Sequence, residues 1–388
     1  MTLELRREPE IVPSYSLTGD LLSFLRCGLQ YRYHNGSALP PSRPVQLWFG
    51  EFIHGVLEGA FRIWTELNPP FPWPSNQTPY HQAPPAGRVR HDIGEIGDVI
   101  EETLRAQGKS PRSTAARNSA YTRAERAVND LGPYLFPLIS VAEERVIGTR
   151  EVPAAAGLRA KRYELHGVID VVTDLQLTGA DPGNLIREAI QRACPNLAGR
   201  YEVVVDYKGS RRPASNSPFW EQGGWQVQTY AWLRTRQPAS LPVAAGLLVY
   251  INELAPAADD LETLKDEIRN GQTDVVPAPG SPDYYALNAW QAGAAVPQFS
   301  FDFRVARALR VVPVTAQSQD HATSSFDKVV RRIEGCVANE EQQGTIAGQW
   351  EACGDDETCA ACDFRHFCPN PSPRRGQAGR QITAPPAP

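Results

Sequence analysis

Hydrophobic positions recur at helical spacing from 16 to 33, "SLTGDLLSFLRCGLQYRY", behind a Ser or Thr cap, and again from 44 to 67, "PVQLWFGEFIHGVLEGAFRIWTEL". Between 68 and 90 the prolines of "NPPFPWPSNQTPYHQAPPAGRVR" exclude both helix and central strand and predict a loop insertion. A more helical stretch follows, to about 139. The period then changes. "EERVIGTREV" (143 to 152), "RYELHGVIDVVTDL" (162 to 175) and "YEVVVDYK" (201 to 208) carry the β-branched runs of strands, with a loop expected over 178 to 198. Helical spacing returns over 219 to 236, and "VAAGLLVYINEL" (243 to 254) reads as a buried strand. A second insertion is expected over 255 to 298, a strand pair in "SFDFRVARALRVVPVT" and a helix over 322 to 343. From 371 the chain is polar and Pro-rich, which predicts a disordered tail. The sum is an α/β protein with residues 1 to 370 in one domain, interrupted at about 68–139 and 255–298.

Within this pattern the end of the 201–208 run is chemically unusual. Residues two apart on a strand share a face, so Asp206 and Lys208 project together while Tyr207 points away. An ion pair at a strand end is one reading. A catalytic pair is the other. Hydrolysis of a phosphodiester through Mg²⁺ or Mn²⁺ needs one or two carboxylates, with water and phosphate completing the octahedron. Asp170 in "HGVIDVV" supplies a second acid, placed where an ionised carboxylate is expensive unless paired or metal-bound; a hydrogen-bonded structural acid is the alternative. Lys208 would then orient the attacking water, stabilise charge on the phosphate or act as base.

Taken together these residues resemble the PD-(D/E)XK nuclease superfamily, and its RecB-like exonuclease branch in particular. The resemblance is carried by "GEFIH" with His54, "GVID" with Asp170, "VVVDYK" with Asp206 and Lys208, and "QVQTY" with Gln226 and Tyr230, in the branch's order. It implies a restriction-endonuclease-like core, a mixed central sheet flanked by helices. It also implies that His54, Asp170 and Asp206 bind the metal with the Tyr207 carbonyl as a further ligand, that Lys208 is catalytic, and that Gln226 and Tyr230 support the site or contact DNA. The activity implied is metal-dependent DNA exonuclease action at ends or single strands, in repair, recombination or CRISPR-type processing. A DNA-end-binding or scaffold protein of the same fold is the alternative; loss of Asp170, Asp206 or Lys208 would have marked it, and all three are present.

Four of the seven cysteines fall in sixteen residues, "CGDDETCAACDFRHFC", at 353, 359, 362 and 368. Such density is a metal signal, satisfied by a local four-Cys zinc site or by an iron–sulfur cluster. The resemblance extends to iron–sulfur members of the branch, AddB-type and CRISPR-associated exonucleases, in which an N-terminal cysteine joins a C-terminal C-x₂-C-x₅-C. It implies a 4Fe–4S cluster on Cys27, Cys359, Cys362 and Cys368. Gly28 stands where those relatives often have proline, and Cys353 is a fifth candidate. Cys194 and Cys336 are expected to be ordinary buried thiols.

Composition narrows the picture. A net charge of −5 excludes a uniformly basic surface but leaves room for a local basic groove. Five of the 39 basic residues are lysines, so arginine carries most of the positive charge. "GSRRPAS" and "RVARALR" are candidate phosphate-binding stretches, or else solvated faces. "GKS" at 108 to 110 has Thr103 where a phosphate-binding loop needs glycine, so ATP binding is not expected and a helicase or CRISPR integration partner would be a separate chain. No apolar run is long enough to span a bilayer, and the charged N-terminus lacks a signal-peptide core, so the expectation is a cytoplasmic protein.

Overall fold

The structure, a computed structural model, describes residues 12–35, 45–76, 89–151, 160–175, 181–360, 362, 364–366 and 368–369. The expected tail and part of the proline-rich loop lie outside them. In chain order the elements are β1 (Ser14–Ser16), a π-turn to Leu22, α1 (Ser23–Arg26), α2 (Gly28–His34), α3 (Val45–Leu67), α4 (Ile93–Ala106), α5 (Thr114–Arg126) and α6 (Gly132–Leu135). There follow β2 (Ile139–Glu151), β3 (Arg162–Leu175), α7 (Leu185–Ala193), β4 (Tyr201–Lys208), α8 (Pro218–Arg234) and β5 (Val243–Tyr250). The chain continues through α9 (Ala258–Arg269), α10 (Pro282–Ala289), α11 (Phe301–Ala308), β6 (Leu309–Pro313), α12 (Ala316–Gln343) and α13 (Asp356–Ala360). Two compact units result, one from 1–44, 145–167 and 317–388, the other from 45–144 and 168–316. Strands β2 and β3 run through both.

In the second unit the sheet is mixed: β3 pairs antiparallel with β4, β4 parallel with β5, and β5 antiparallel with β6. Alternation sorts the side chains of β4 and β5 into two layers. Val203, Val205, Tyr207, Ala245, Leu247 and Val249 join Phe52, Val56, Ile93 and Tyr121 of the helices in one large core. The even positions face α8. There Gly246 admits the helix, since a Cβ at this position would lie 2.4 Å from Val227. Two polar pairs set the register of α8: Arg234 donates to Glu202 at 2.7 and 2.8 Å, and Gln226 Nε2 donates to Asp206 at 2.8 Å. Eight helical residues and four strand residues each span ~12–13 Å, so both pairs form along one antiparallel helix–strand contact.

Three expectations change. The loop expected over 178–198 contains α7, capped by Asn184 Oδ1, which accepts the N–H groups of Ile186 and Arg187, and held by buried Ile186 and Ile190 one turn apart. The strand pair expected over 300–315 is a helix followed by one strand. Ser300 caps α11 by accepting the Phe303 N–H, and the β-branched run begins only at Leu309. The helix expected over 16–33 breaks at Cys27, whose extended backbone (φ −162°, ψ 109°) makes it the cap of α2. Within 255–298, α9 and α10 form a small core of their own around Leu261, Leu264, Leu287 and Trp290.

In the first unit, β1 lies parallel to the start of β3, with Ser14, Tyr15 and Ser16 beside Glu164, Leu165 and His166. Helix α12 is tied to these strands through polar groups: Asp327 accepts from Arg150 at 2.8 Å and from the Tyr163 hydroxyl at 2.6 Å, and Glu334 accepts from Tyr15. Phe24 and Tyr31 pack their rings against Trp350.

Candidate active site and thiol cluster

The second unit brings His54, Asp170, Asp206, Tyr207, Lys208, Gln226 and Tyr230 together from α3, β3, β4 and α8. Asp206 and Lys208 share a face as the pleat requires, and Lys208 Nζ lies 2.7 Å from Asp206 Oδ2. Gln226 closes the triangle. Its Oε1 accepts from Lys208 at 2.5 Å and its Nε2 donates to Asp206 Oδ1. Asp206 Oδ2, although near the ammonium, is buried and makes no well-directed hydrogen bond, so it keeps lone-pair capacity for a cation. Tyr230, one turn beyond Gln226, is buried and hydrogen-bonded to it; burial first, then Asp206 and Asp170, push its phenol well above the ordinary value.

On the other side of β4, His54 Nε2 is 3.0 Å from the Tyr207 carbonyl. A carbonyl only accepts, so the ring donates from Nε2 and turns Nδ1 toward Asp170 Oδ1 at 3.5 Å. Ligating histidines characteristically donate their second nitrogen to a backbone carbonyl in this way. The Tyr207 carbonyl, expected as a metal ligand, accepts from His54 and so orients that ring, and its oxygen has a second lone pair for the expected role. Asp170 Oδ2 accepts the Tyr207 N–H at 2.6 Å.

Glu143 completes this cradle; its role had no signal in the sequence beyond an acid opening "EERVIGTREV". Ligand atoms of His54, Glu143 and Asp170 all lie within 4.8 Å of one another. Glu143 has φ +56°, a left-handed backbone that costs a non-glycine residue about 1–3 kcal/mol and clusters at functional sites. The electrostatics fit a cation. Asp170 is pushed up to about 7, first by burial, against the favourable His54, with the Asp206 charge adding to the rise and the Tyr207 N–H opposing it. Burial and Glu58 likewise raise Glu143. Crowded carboxylates beside an imidazole form a donor set suited to a divalent metal.

In the first unit Cys27, Cys353, Cys359, Cys362 and Cys368 all line one cavity with Tyr33 and Phe364. The Cys353 N–H points at Cys27 Sγ (3.4 Å), and Cys353 Sγ is 3.9 Å from Cys359 Sγ. Cys27 also accepts the Gln30 N–H at 3.5 Å. Burial, followed by the neighbouring thiols Cys27 and Cys359, pushes Cys353 up to about 12 against a backbone hydrogen bond from Asp355. Thiols so crowded repel as thiolates, and a bound cation relieves that repulsion. Cys194 and Cys336 are half-buried and lie apart from this cavity.

Four arginines of the basic stretches are paired within the fold. Arg212 is buried, paired with Asp274 and bonded to the carbonyls of Arg307 and Leu309. Arg211 pairs with Glu267, Arg307 with Glu253, and Arg304 with Asp130.

Residues 197–369 match the family model of the PD-(D/E)XK nuclease superfamily. The matched stretch holds Asp206, Lys208, Gln226, Tyr230 and the C-terminal cysteines, while His54, Glu143 and Asp170 precede it. No curated protein matches the chain. The mixed sheet flanked by helices is consistent with a restriction-endonuclease-like fold, and the match points to a nuclease, with DNA as the substrate the superfamily implies and a divalent metal as its usual cofactor. Among the described residues no helix is long and apolar enough to cross a membrane.

Proposed function

We propose that the protein is a RecB-like, Mg²⁺- or Mn²⁺-dependent DNA exonuclease, acting on single strands or duplex ends and needing a separate chain for any helicase or CRISPR integration step. The observation that carries the reading is the Asp206–Lys208–Gln226 triangle beside the His54–Glu143–Asp170 cradle. His54 Nδ1, Glu143, Asp170 and Asp206 Oδ2 are the groups that would hold the metal, which when bound polarises the phosphate and acidifies its water. Gln226 holds Lys208 and Asp206 in one geometry, so the ammonium is pre-aimed and needs no reorganisation as charge develops on the phosphate. Lys208 Nζ hydrogen-bonds the attacking water or a non-bridging phosphate oxygen. Burial of Asp170 and Tyr230 excludes bulk water from the inner wall and strengthens each of these contacts.

The same reading places a 4Fe–4S cluster in the first unit, on Cys27, Cys359, Cys362 and Cys368. The support is their convergence on one cavity across more than 300 residues of chain, together with the branch resemblance. Cys353 would then be a neighbour and not a ligand.

End-labelled single- and double-stranded DNA, incubated with anaerobically purified protein and Mg²⁺ or Mn²⁺, tests the activity, and a chelator should stop it. Asp206→Ala and Lys208→Ala should each lower cleavage by at least about 100-fold, the order of magnitude for losing a transition-state charge contact, with DNA binding largely retained. Wild-type cleavage by Lys208→Ala would leave Asp206–Lys208 a structural ion pair and overturn the assignment.

A further inference from the structure

We infer that Phe219 is a stacking platform for an unpaired base of the strand being cut, which makes the substrate at this site single-stranded or frayed nucleic acid. The inference rests on the nuclease reading and adds a subsite to it.

An isolated exposed phenyl ring needs no explanation of its own. The placement of this one does. Phe219 is 51% exposed on the first turn of α8, where its N–H is capped by Ser217. It lies seven residues before Gln226, two helical turns along the same face and ~10 Å away along the axis. The same face carries Gly223, whose missing side chain lets α8 settle against Leu248 and Tyr250, then Gln226 on Asp206 and Lys208, then Tyr230. Because α8 runs antiparallel to β4, ~10 Å beyond Gln226 corresponds to about three strand residues beyond Asp206. Phe219 therefore lies toward the carboxyl end of β4, just past Lys208, within reach of a strand bound at the proposed reacting centre. At duplex spacing that distance is about three base steps, and fewer in an extended strand.

The platform is rigid and its surroundings are cationic. Trp220, next to Phe219, turns inward beneath the Arg310 guanidinium at 3.5 Å and near Arg212 at 5.4 Å, which fixes the first turn and holds the phenyl ring outward. Arg310 donates to the Trp220 carbonyl at 2.8 Å and bonds the Tyr250 hydroxyl, both neutral groups. Asp274 attracts this guanidinium and Arg212 repels it, so Arg310 shares the carboxylate that pairs with Arg212. Tyr250 sits beside Lys208 in the β4–β5 register, and Arg310 links Tyr250 to Trp220, the chain neighbour of Phe219. Glu221, the acid of this turn, lies two residues on, about 200° around the helix from Phe219. Aromatic faces set in a positive groove are how proteins hold single strands without reading their sequence.

The test is equilibrium binding in chelator, which separates binding from cleavage, using fluorescent oligothymidylate, an abasic oligonucleotide of equal length, and a duplex closed by hairpins at both ends. Phe219→Ala should weaken oligothymidylate binding about 5- to 150-fold, the equivalent of one base–aromatic stack, and Phe219→Trp should restore it. Phe219→Leu, which keeps the apolar bulk without the π-face, should behave like alanine. Wild type and Phe219→Ala should bind the abasic strand and the closed duplex alike. Equal oligothymidylate binding by wild type and Phe219→Ala, in protein that cuts DNA, would overturn the subsite and leave the nuclease reading standing. A wild type that neither binds nor cuts any of these DNAs would overturn both.

Discussion

Replacing Asp170 with asparagine isolates the electrostatic cost on which the proposed metal site rests. Asp170 is 9% exposed, and burial with the nearby Asp206 charge lifts it from the ordinary carboxylate range to about 7. The folded, metal-free protein therefore binds this proton more tightly than the unfolded chain between about pH 4 and pH 7. Its stability must fall as pH rises through that window and level off above it. At 1.36 kcal/mol per pH unit the full cost approaches about 4 kcal/mol, so a difference of ~2–4 kcal/mol is expected. Asparagine keeps an acceptor for the Tyr207 N–H and carries no charge. In chelator, Asp170→Asn should thus match wild type near pH 4.5 and exceed it by ~2–4 kcal/mol at pH 8. Urea unfolding at both pH values reads the difference, and contributions from other titrating groups cancel between the two proteins. With Mg²⁺ or Mn²⁺ the order should reverse, because ligand binding stabilises only the protein that retains the carboxylate. If the two proteins stay equally stable at pH 8 without metal, Asp170 ionises at no cost and the electrostatic argument for its liganding role fails.

Two further outcomes follow from other parts of the molecule. Freshly purified protein should be brown with iron and acid-labile sulfide in comparable amounts; Cys27→Ser should bleach it and Cys353→Ser should not, whereas colourless protein with stoichiometric zinc, or the reverse mutant pattern, would replace the cluster by a local four-Cys site. Arg212→Ala should cost about 3–5 kcal/mol in thermal or urea unfolding, because it leaves Asp274 and two buried carbonyls without their cation, and a change below ~1 kcal/mol would show that the pair is not needed by the fold.

Where local periodicity and burial agree, the sequence was readable. Strands β3 and β4 run over the residues expected, 162–175 and 201–208: β4 is buried on both faces and ends at Lys208, and β3 buries Tyr163 and Leu165 in alternation before the continuous buried run 169–173. The Asp206–Lys208 pair was legible from the pleat alone, although it did not choose between ion pair and catalytic pair, since the two groups do make an ion pair. What adds to that choice is Gln226, which bonds both and was legible only through its order after the strand. Helix α7 was missed although Asn184 and the Ile186–Ile190 spacing were visible, because the flanking Gly, Pro and Asn residues outweighed a two-residue apolar stripe. Glu143 was not legible at all. Its place in the cradle depends on a left-handed turn within β2, which neither propensity nor period encodes.

The arginines show most clearly what a linear reading cannot supply. "GSRRPAS" looks like a phosphate-binding stretch because charge is visible in sequence and its partner is not. The partners of Arg211 and Arg212 lie 56 and 62 residues away, at Glu267 and Asp274. The Arg212 N–H also donates to Glu253, the same carboxylate that pairs with Arg307. Each of these contacts fixes the chain within four residues of Lys208, as it leaves β4. A buried cation held by a carboxylate and two carbonyls is costly to form and costlier to break, so it pins the backbone in one place. Lys208 therefore stands between two restraints, the Gln226 side chain that bonds it and the Arg212 anchor four residues after it. In the proposed reaction its ammonium needs a fixed position near a phosphate, and both restraints would supply that position. Under that proposal the buried arginines after the strand would act on the lysine through the backbone they pin, with no contact of their own to DNA.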